Sequence, residues 1–457
     1  MAAAIRTVVL CGVMIAACLA GCSSVRPWMN APLVADGATT PPIAASADPS
    51  IVVAVTLSGG GARAAAFGYG VLTELHRTTF KWNGRETDLL TSADVITGVS
   101  GGSILAAYYA AFGADRLPDF ERDFLRQNFQ NGLITQTLRP VHLYKMTSPW
   151  YGRSNVLAER LDELYEGRTF ADVEDNPPRT QLVIAATDMS LGTTFEFTPE
   201  QFALICSDLR SVPLAFAVAA SSAVPIVLSP MGLKNYAGEC REQGIRAPEV
   251  FGAGTDYRAR MYRSQAKSYL DAKRRPYIHL VDGGLADNLG VRRMLDRALA
   301  GGGLRKSLSE AGLPPGSVRK LVLVTVNSER DPANNIDADD KVPSLAQVGD
   351  ALLFGTGSRA TIETQEFLAD ITRQWRADLK ANRGDGSDAF AADAEIHVVA
   401  VNLRDAKGDT RRELLQTPTA FSISGWEVTQ LIEAGRDVLR RSPEFQVLLK
   451  SLGVKPD

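Results

Sequence analysis

The fold is decided by residues 93–105, which read ADVITGVSGGSIL. An apolar, β-branched start predicts a strand that runs into a GxSxG motif centred on Ser100, and residues 104–112, rich in Ala, Leu and Tyr, predict a helix directly after it. This order is the context of a nucleophile elbow, whose sharp turn explains Gly98 and Gly102. Ser100 is therefore a candidate nucleophile at a helix N-terminus that favours negative charge. The alternative is a glycine-rich turn without chemistry.

Length and composition are those of an ordinary globular chain. The 457 residues can bury a large core, as one big domain or two. The chain has 45% hydrophobic and 22% charged residues, with a net charge of −3 and no basic block. A nucleic-acid partner is therefore not expected.

The N-terminus has the layout of a secretory signal peptide. Within residues 1–21 a single basic residue, Arg6, precedes an apolar run over 8–20 that is too short to predict a membrane span. The run ends in Leu-Ala-Gly-Cys, which resembles a bacterial lipobox and implies that Cys22 becomes the lipid-modified first residue of the mature protein. The alternative is an ordinary signal peptide with an incidental cysteine.

An exported, lipid-anchored protein follows from this interpretation. Residue 23 is Ser and not the Asp that is linked with inner-membrane retention, so in a Gram-negative host we expect the outer membrane, facing the periplasm. Residues 22–50, rich in Pro, Ala, Ser and Thr, predict a disordered tether that begins with the lipidated cysteine. In an oxidising compartment a disulfide between Cys206 and Cys240 is expected rather than two free thiols.

From residue 51 onward, apolar runs alternate with helical segments. Predicted strands cover 51–57, 95–100, 181–186, 277–281, 320–326 and 396–401, with a hairpin partner at 193–198. Alanine-rich and amphipathic segments between them predict helices. The alternation predicts an α/β fold with a mostly parallel central sheet flanked by helices.

The first predicted strand runs into the glycine loop, residues 58–64, which read SGGGARA. No Gly-Lys-Ser/Thr follows, so a Walker phosphate loop is excluded. A dinucleotide fingerprint stays open, although Ala64 stands where its last glycine would be. A further interpretation is an oxyanion hole, because consecutive glycines expose backbone N–H groups at a helix N-terminus. Arg63 would then order the loop or bind a lipid phosphate.

A serine hydroxyl needs a neighbouring base to take its proton. Asp282 ends an apolar strand and precedes Gly283-Gly284, which is where α/β enzymes place catalytic groups. A partly desolvated aspartate beside a hydroxyl can accept its proton. The alternative for Asp282 is an ordinary Asp-Gly turn. None of the four histidines has this loop context: His76, His142, His279 and His397.

Taken in order, the glycine loop, the Ser100 motif and Asp282-Gly283-Gly284 resemble the patatin-like phospholipase family. The run 219–225 and the Asp-Asn-Leu-Gly at 287–290 are also similar to that family. The resemblance implies a three-layer α/β sandwich over residues 51–330 and a Ser–Asp dyad without histidine. Ser100 would be the nucleophile and Asp282 the base, and the resemblance implies neither a cofactor nor a metal.

The resemblance also implies an oxyanion hole built from the glycine loop and the Ser100 turn: Gly59, Gly60, Gly61, Arg63 and Gly101. Four more glycines match its motifs: Gly98, Gly102, Gly283 and Gly284. The chain departs from the pattern at Ser58, where an acidic residue is common, and at Ala64, where glycine is usual. Residues 331–457 lie outside the resemblance and are expected to form a C-terminal α/β extension packed on the same domain.

The sequence thus predicts a lipid-anchored serine acyl hydrolase that cleaves acyl esters of phospholipids or lysophospholipids, and that contacts the membrane through its N-terminal lipid. One alternative is a His-dependent serine esterase with the same nucleophile. Another is a non-catalytic patatin-like lipoprotein that acts as a scaffold or binding module. The sequence leaves open whether water or another alcohol takes the acyl group, and how many chains associate.

Overall fold

The protein is described by a computed structural model over residues 23–27, 30–34, 48–175, 180–245, 255–330, 340–344, 347–348, 351, 356–382 and 388–454. The predicted signal peptide over 1–21 and the predicted lipidation site at Cys22 lie outside these residues. Among the described helices, none is long and apolar enough to cross a membrane.

A large mixed sheet is the centre of the fold. The strands are β1 (Ala31–Pro32), β2 (Ile51–Leu57), β3 (Thr79–Trp82), β4 (Arg85–Asp88), β5 (Ala93–Val99), β6 (Gln181–Asp188), β7 (Thr193–Phe197), β8 (Ser207–Asp208), β9 (Met231–Lys234), β10 (Tyr277–Val281), β11 (Val318–Asn327) and β12 (Phe390–Asn402). Eight of them form the sheet in the order β12-β11-β2-β5-β6-β10-β9, with β7 also paired to β6. The pairs from β12 to β6 are parallel, whereas β7 and β10 run antiparallel to β6 and β9 to β10.

Helices connect these strands. They are α1 (Gly61–Arg77), α2 (Gly101–Arg116), α3 (Phe129–Thr137), α4 (Pro140–Lys145), α5 (Arg153–Leu164), α6 (Phe170–Glu174), α7 (Pro199–Leu204), α8 (Leu214–Ser221), α9 (Ala237–Glu242), α10 (Tyr257–Tyr269), α11 (Arg292–Gly301), α12 (Leu304–Glu310), α13 (Thr356–Ala381), α14 (Arg411–Gln416), α15 (Gly425–Arg441) and α16 (Pro443–Ser451). A π-helical turn covers Glu121–Leu125, and short 3₁₀ turns cover Gly283–Leu285 and Leu403–Asp405.

The sheet is covered by helices on both faces. Successive side chains of a strand point to opposite faces. On β2, Val53 and Val55 belong to the large apolar core that also contains residues of α1, α2, α8 and α15. Val52 and Ala54 pack instead into clusters with residues of α11, α12 and α13. The predicted three-layer α/β sandwich with a mostly parallel sheet is therefore confirmed.

The C-terminal extension belongs to the same sheet and core. β12 pairs with β11, which pairs in turn with β2. α15 crosses α1 so closely that a Cβ at Gly70 would overlap the carbonyl oxygen of Ile432, and a Cβ at Gly435 that of Phe67. Glycine allows the two backbones to approach. The described parts of residues 331–457 thus pack on the same sheet and core as residues 51–330.

Part of the predicted tether is ordered. β1 pairs antiparallel with β8, and the side-chain amide of Asn30 donates to Ser207 Oγ at 2.7 Å. Residues 23–27 are held as well, since Ser148 Oγ donates to the carbonyl oxygen of Val25 at 2.7 Å, so the prediction of disorder across 22–50 is wrong for residues 23–27 and 30–34. Composition gave no sign of this, because the polar groups of that segment find their partners far along the chain.

A disulfide joins Cys206 to Cys240, the pair expected from the sequence. Both cysteines are buried, in a small apolar cluster with Tyr236. Leu33 N–H donates to the carbonyl oxygen of Cys206 at 3.0 Å. The ordered part of the N-terminal segment therefore lies against the loop that this disulfide closes.

Candidate active site

Ser100 lies at the corner between β5 and α2. Its φ of 48° and ψ of −121° are outside the regions that L-residues ordinarily adopt. Such strain is expected at a nucleophile elbow. A Cβ at Gly98 would overlap the backbone of Ser103, and a Cβ at Gly102 would overlap the carbonyl oxygen of Leu57. The turn therefore requires glycine on both sides of the serine.

Asp282 faces the Ser100 hydroxyl from the end of β10. Ser100 Oγ donates to Asp282 Oδ2 at 2.7 Å, and Gly284 N–H donates to Asp282 Oδ1 at 2.9 Å. The Asp282 N–H donates to the carbonyl oxygen of Ala223 at 3.0 Å, and Thr187 Oγ1 donates to the Asp282 carbonyl oxygen at 2.8 Å. The carboxylate is thus held through both of its oxygens and through its backbone.

Burial governs the charge of Asp282. The residue is 9% exposed. This burial raises the pKa of its carboxyl from 3.8 to about 6, while the hydrogen bonds from Ser100 and Gly284 oppose the increase. At neutral pH the carboxylate is ionised and can accept a proton. Its pKa is also close enough to neutrality for that proton to be passed on to a leaving group.

No histidine contacts the Ser100 hydroxyl in the part of the chain that the structure describes. His279 is exposed on β10. The other three bind carboxylates elsewhere, in the pairs His76–Asp88, His142–Glu159 and His397–Glu395. The hydroxyl of Ser100 therefore has a carboxylate, and not an imidazole, as its hydrogen-bond partner.

The glycine loop lies against the Ser100 turn. A Cβ at Gly101 would overlap the backbone of Gly61, and a Cβ at Gly59 would lie 3.2 Å from that of Ser100. Gly60 and Gly61 have φ values of 140° and 60°, which glycine adopts without strain. Their N–H groups and that of Gly101 have no acceptor among the described residues. These three donors, at the N-termini of α1 and α2, are the candidates for an oxyanion hole.

Two residues assigned to the oxyanion hole from the sequence have other roles. The Gly59 N–H donates to the carbonyl oxygen of Asn288 at 3.2 Å, so this donor is already used. Arg63 is 2% exposed, and its guanidinium donates to the carbonyl oxygens of Ser328 at 2.8 Å and Thr417 at 2.5 Å. Arg63 therefore orders the loop. The alternative that it binds a lipid phosphate is wrong, because its donors face buried carbonyl groups.

Sequence reasoning missed two groups that hold the site in place. Ser221 Oγ, at the end of α8, accepts the Ser100 N–H at 2.8 Å. The carbonyl oxygen of Ala420, just before α15, accepts the Ala62 N–H at 2.7 Å. The small-residue run around Ser221 was part of the resemblance and could have pointed to it. No local pattern singles out Ala420.

Comparison with known families identifies the chain. A sequence model described as Patatin-like phospholipase matches residues 55–295, which are 241 of the 457 residues. The match includes the whole glycine loop together with Ser100 and Asp282. The chain belongs to the patatin-like phospholipase family. Membership supports lipid acyl hydrolysis in general for this patatin-like protein.

Solved structures with a similar fold include human GIVD cytosolic phospholipase A2, with 11% identity, a TM-score of 0.43, and coverage of 89% of this chain and 62% of that chain. For a complex of the human enzyme with methyl gamma-linolenyl fluorophosphonate, the identity is 12% and the TM-score 0.40, and the match covers 89% of this chain and 59% of that chain. For VipD from Legionella pneumophila, the identity is 10% and the TM-score 0.33, and the match covers 93% of this chain and 70% of that chain. The patatin-like protein thus spans less than two thirds of the human phospholipase chains. A comparison with curated protein sequences gives no match.

Proposed function

We propose that the patatin-like protein is a lipid-anchored serine acyl hydrolase that cleaves acyl esters of phospholipids or lysophospholipids through a Ser100–Asp282 dyad. The observation that carries this proposal is the 2.7 Å hydrogen bond from the Ser100 hydroxyl to the buried Asp282 carboxylate. A hydroxyl with a base at hydrogen-bond distance is the arrangement that nucleophilic acyl transfer needs.

In the proposed reaction, Asp282 takes the proton of Ser100 as the serine oxygen attacks the ester carbonyl carbon. The charge that develops on the carbonyl oxygen is stabilised by the N–H groups of Gly60, Gly61 and Gly101 and by the two helix N-termini. Asp282 then protonates the leaving alkoxide, and an acyl-serine remains. Water then gives a proton to the same carboxylate as its oxygen attacks the acyl-serine, and Asp282 returns that proton to the Ser100 oxygen as the fatty acid leaves.

Contacts of the glycine loop favour an oxyanion hole over the dinucleotide interpretation. A pyrophosphate at a helix N-terminus uses several neighbouring N–H groups at once. Those of Gly59 and Ala62 already have acceptors, in Asn288 and Ala420. The donors left at Gly60, Gly61 and Gly101 surround the Ser100 turn, which suits a single oxygen atom at that turn.

We place this activity at the outer membrane, facing the periplasm. The signal peptide over 1–21 and a lipid on Cys22 would bring the protein there, and the Leu-Ala-Gly-Cys sequence supports both. The disulfide between Cys206 and Cys240 supports an oxidising compartment.

A fluorophosphonate probe tests the proposed nucleophile. We expect mass spectrometry to find the label on Ser100, and Ser100→Ala to lose the label and several orders of magnitude of ester cleavage. Ser222→Ala is the control, because its buried hydroxyl has no partner in the described residues. Ester cleavage at the wild-type rate by purified Ser100→Ala protein would contradict the proposal. A folded wild-type protein that takes no label and cleaves no ester would instead be a non-catalytic module.

A further inference from the structure

One surface of the protein carries a concentration of exposed apolar side chains. It is formed by α3, α4 and the loop after α4, where six large apolar side chains are 48% to 64% exposed. Ile134 and Leu138 are four residues apart and Val141 and Tyr144 three apart, which places each pair on one side of its helix. Isolated apolar side chains are normal on a surface, whereas a contiguous patch marks a binding surface. We call this patch the apolar face: Ile134, Leu138, Val141, Leu143, Tyr144 and Trp150.

The first described residues of the chain are fixed at the apolar face. Ser23 is 4% exposed, and its N–H donates to Thr147 Oγ1 at 2.8 Å. The Arg26 guanidinium lies 4.3 Å from the centre of the Trp150 ring. Cys22, the proposed lipid site, is the residue bonded to Ser23. A lipid on Cys22 would therefore leave the protein beside the apolar face.

Ser100 and Asp282, the proposed catalytic pair, lie next to the same surface. Arg153, three residues after Trp150, donates to the carbonyl oxygen of Ile226 at 2.7 Å. Ile226 is 78% exposed with a φ of 73°, a conformation that a β-branched residue adopts only when its surroundings impose it. Three residues earlier in the chain, Ala223 accepts the N–H of Asp282. Exposed apolar residues thus extend from the lipid site to the rim of the catalytic pair.

Two exposed arginines flank the apolar face. Between residues 124 and 158 the sequence contains no Asp or Glu, although the whole chain has a net charge of −3. Arg139 and Arg153 are exposed and have no carboxylate partner among the described residues. Basic side chains around an apolar patch favour a bilayer whose head groups are anionic.

We propose that the apolar face enters the interfacial region of a phospholipid bilayer, the same bilayer that holds the lipid on Cys22. This inference rests on the proposed function, because the lipid anchor and the phospholipid substrate identify a bilayer as the occupant. Ser23 contacts the loop after α4 and Arg153 contacts Ile226, so in the proposed arrangement a single membrane contacts the anchor, the apolar face and Ile226. The catalytic pair is then held next to the acyl esters of that membrane.

Fluorescence quenching by brominated lipid measures whether the apolar face enters a bilayer. Full-length protein with Ser100→Ala, which leaves the lipid uncleaved, is mixed with phosphatidylcholine and phosphatidylglycerol vesicles that carry brominated acyl chains. We expect tryptophan fluorescence to fall, and Trp150→Phe to remove most of this quenching. Trp82→Phe is the control and should leave it unchanged, because Trp82 bonds to Ser50 at the opposite end of β2 from the glycine loop.

A matched pair of valines tests the role of the apolar face in turnover. Val141 in α4 is 53% exposed, and Val447 in α16 is 58% exposed. α3 contacts the chain just before α15, where Gln130 N–H donates to Ser422 Oγ, whereas α16 follows the other end of α15, about 25 Å away. In protein with Ser100 intact, Val141→Glu should lower the rate of vesicle phospholipid hydrolysis by about tenfold or more. The rate of hydrolysis of a soluble short-chain ester should stay unchanged. Val447→Glu should change neither rate.

Three results would overturn the proposal, and a fourth would separate it from the proposed function. The first is tryptophan quenching that Trp150→Phe does not reduce. The second is an active protein whose two valine variants hydrolyse vesicle phospholipid at equal rates. Dimers in light scattering that Val141→Glu converts to monomers, without quenching by lipid, would make the apolar face an interface between copies and also overturn it. If the proposed function is wrong and wild-type protein cleaves no phospholipid, turnover cannot compare the variants, but the quenching measured with Ser100→Ala protein still decides the proposal.

Discussion

In the proposed dyad, Asp282 has to be ionised to take the proton of Ser100, and burial raises the free energy of that ionised form. With the pKa of its carboxyl at about 6, proton acceptance is lost as the pH falls through that value. We therefore expect the acid side of a kcat/KM profile to follow one group near pH 6, and to do so in each single His→Ala variant. The same titration acts on folding with the opposite sign.

In the folded protein the pKa of Asp282 is above its ordinary value of 3.8, so this carboxyl supports folding fully below about pH 4 and loses that contribution as the pH rises through about 6. Asp282→Asn removes the buried charge. We expect this variant to lose ester cleavage and to gain up to about 3 kcal/mol in free energy of unfolding at pH 8. Urea titrations at pH 8 and pH 4 check this, because the gain should vanish at pH 4. No gain at pH 8 would contradict the assigned burial cost.

Single residues were predictable from the sequence where their role is local. The GxSxG pattern pointed to Ser100 because the steric demand for Gly98 and Gly102 arises within one turn. The pattern could not assign Arg63, whose guanidinium contacts carbonyl groups of Ser328 and Thr417. Such partners become neighbours only in the folded chain, so no spacing in the sequence encodes them.

The crossing of α1 and α15 depends on glycine. Gly435→Ala would place a Cβ against the carbonyl oxygen of Phe67. Although Ala favours a helix, we expect this overlap to lower the free energy of unfolding by about 1–3 kcal/mol in a urea titration. Gly238→Ala in α9 is the control, because its Cβ would have no neighbour closer than Ala272 Cβ at 3.9 Å. A Gly435→Ala protein as stable as wild type would contradict close packing of the two helices.

Elements were predictable where apolar runs have clear ends. The predicted strands at 51–57 and 277–281 coincide with β2 and β10, each of which stops at a glycine-rich turn. The helix predicted at 104–112 begins at Gly101 in the structure, because the elbow imposes a helical start on glycines that do not favour one. β3 and β4 were not predicted, since each has only four residues and they pair only with each other.

Attachment of the whole molecule is expected to depend on Cys22. Cys22→Ala should move the protein from the membrane fraction to the soluble fraction after a high-salt wash, because the remaining apolar and basic contacts are weak and screened by salt. Immunoblots of the two fractions measure this. Cys11→Ala, in the apolar run of the predicted signal peptide, should stay with the membrane. A Cys22→Ala protein that also stays there would place the anchor elsewhere.

The extent of the whole domain could not be read from the motifs. They end near residue 290, and the family match ends at residue 295. Yet β11 and β12 complete the sheet beyond that point, and α15 covers α1. These elements pack through apolar faces that any α/β chain presents. The sequence therefore predicted that the extension packs on the domain, but not that β12 pairs with β11 and β11 with β2.

The hydrogen bond from Ala62 to Ala420 has a consequence for biosynthesis. A ribosome and an export channel deliver a chain from its N-terminus, so the glycine loop and Ser100 emerge long before residue 420. Until then the first turn of α1 lacks its acceptor, Arg63 lacks the carbonyl of Thr417, and β2 lacks β11 as a neighbour. If the protein is exported and cleaves lipids as proposed, a nascent chain in transit is therefore expected to be inert toward the lipids it passes, and to become active only after residue 420 has been delivered.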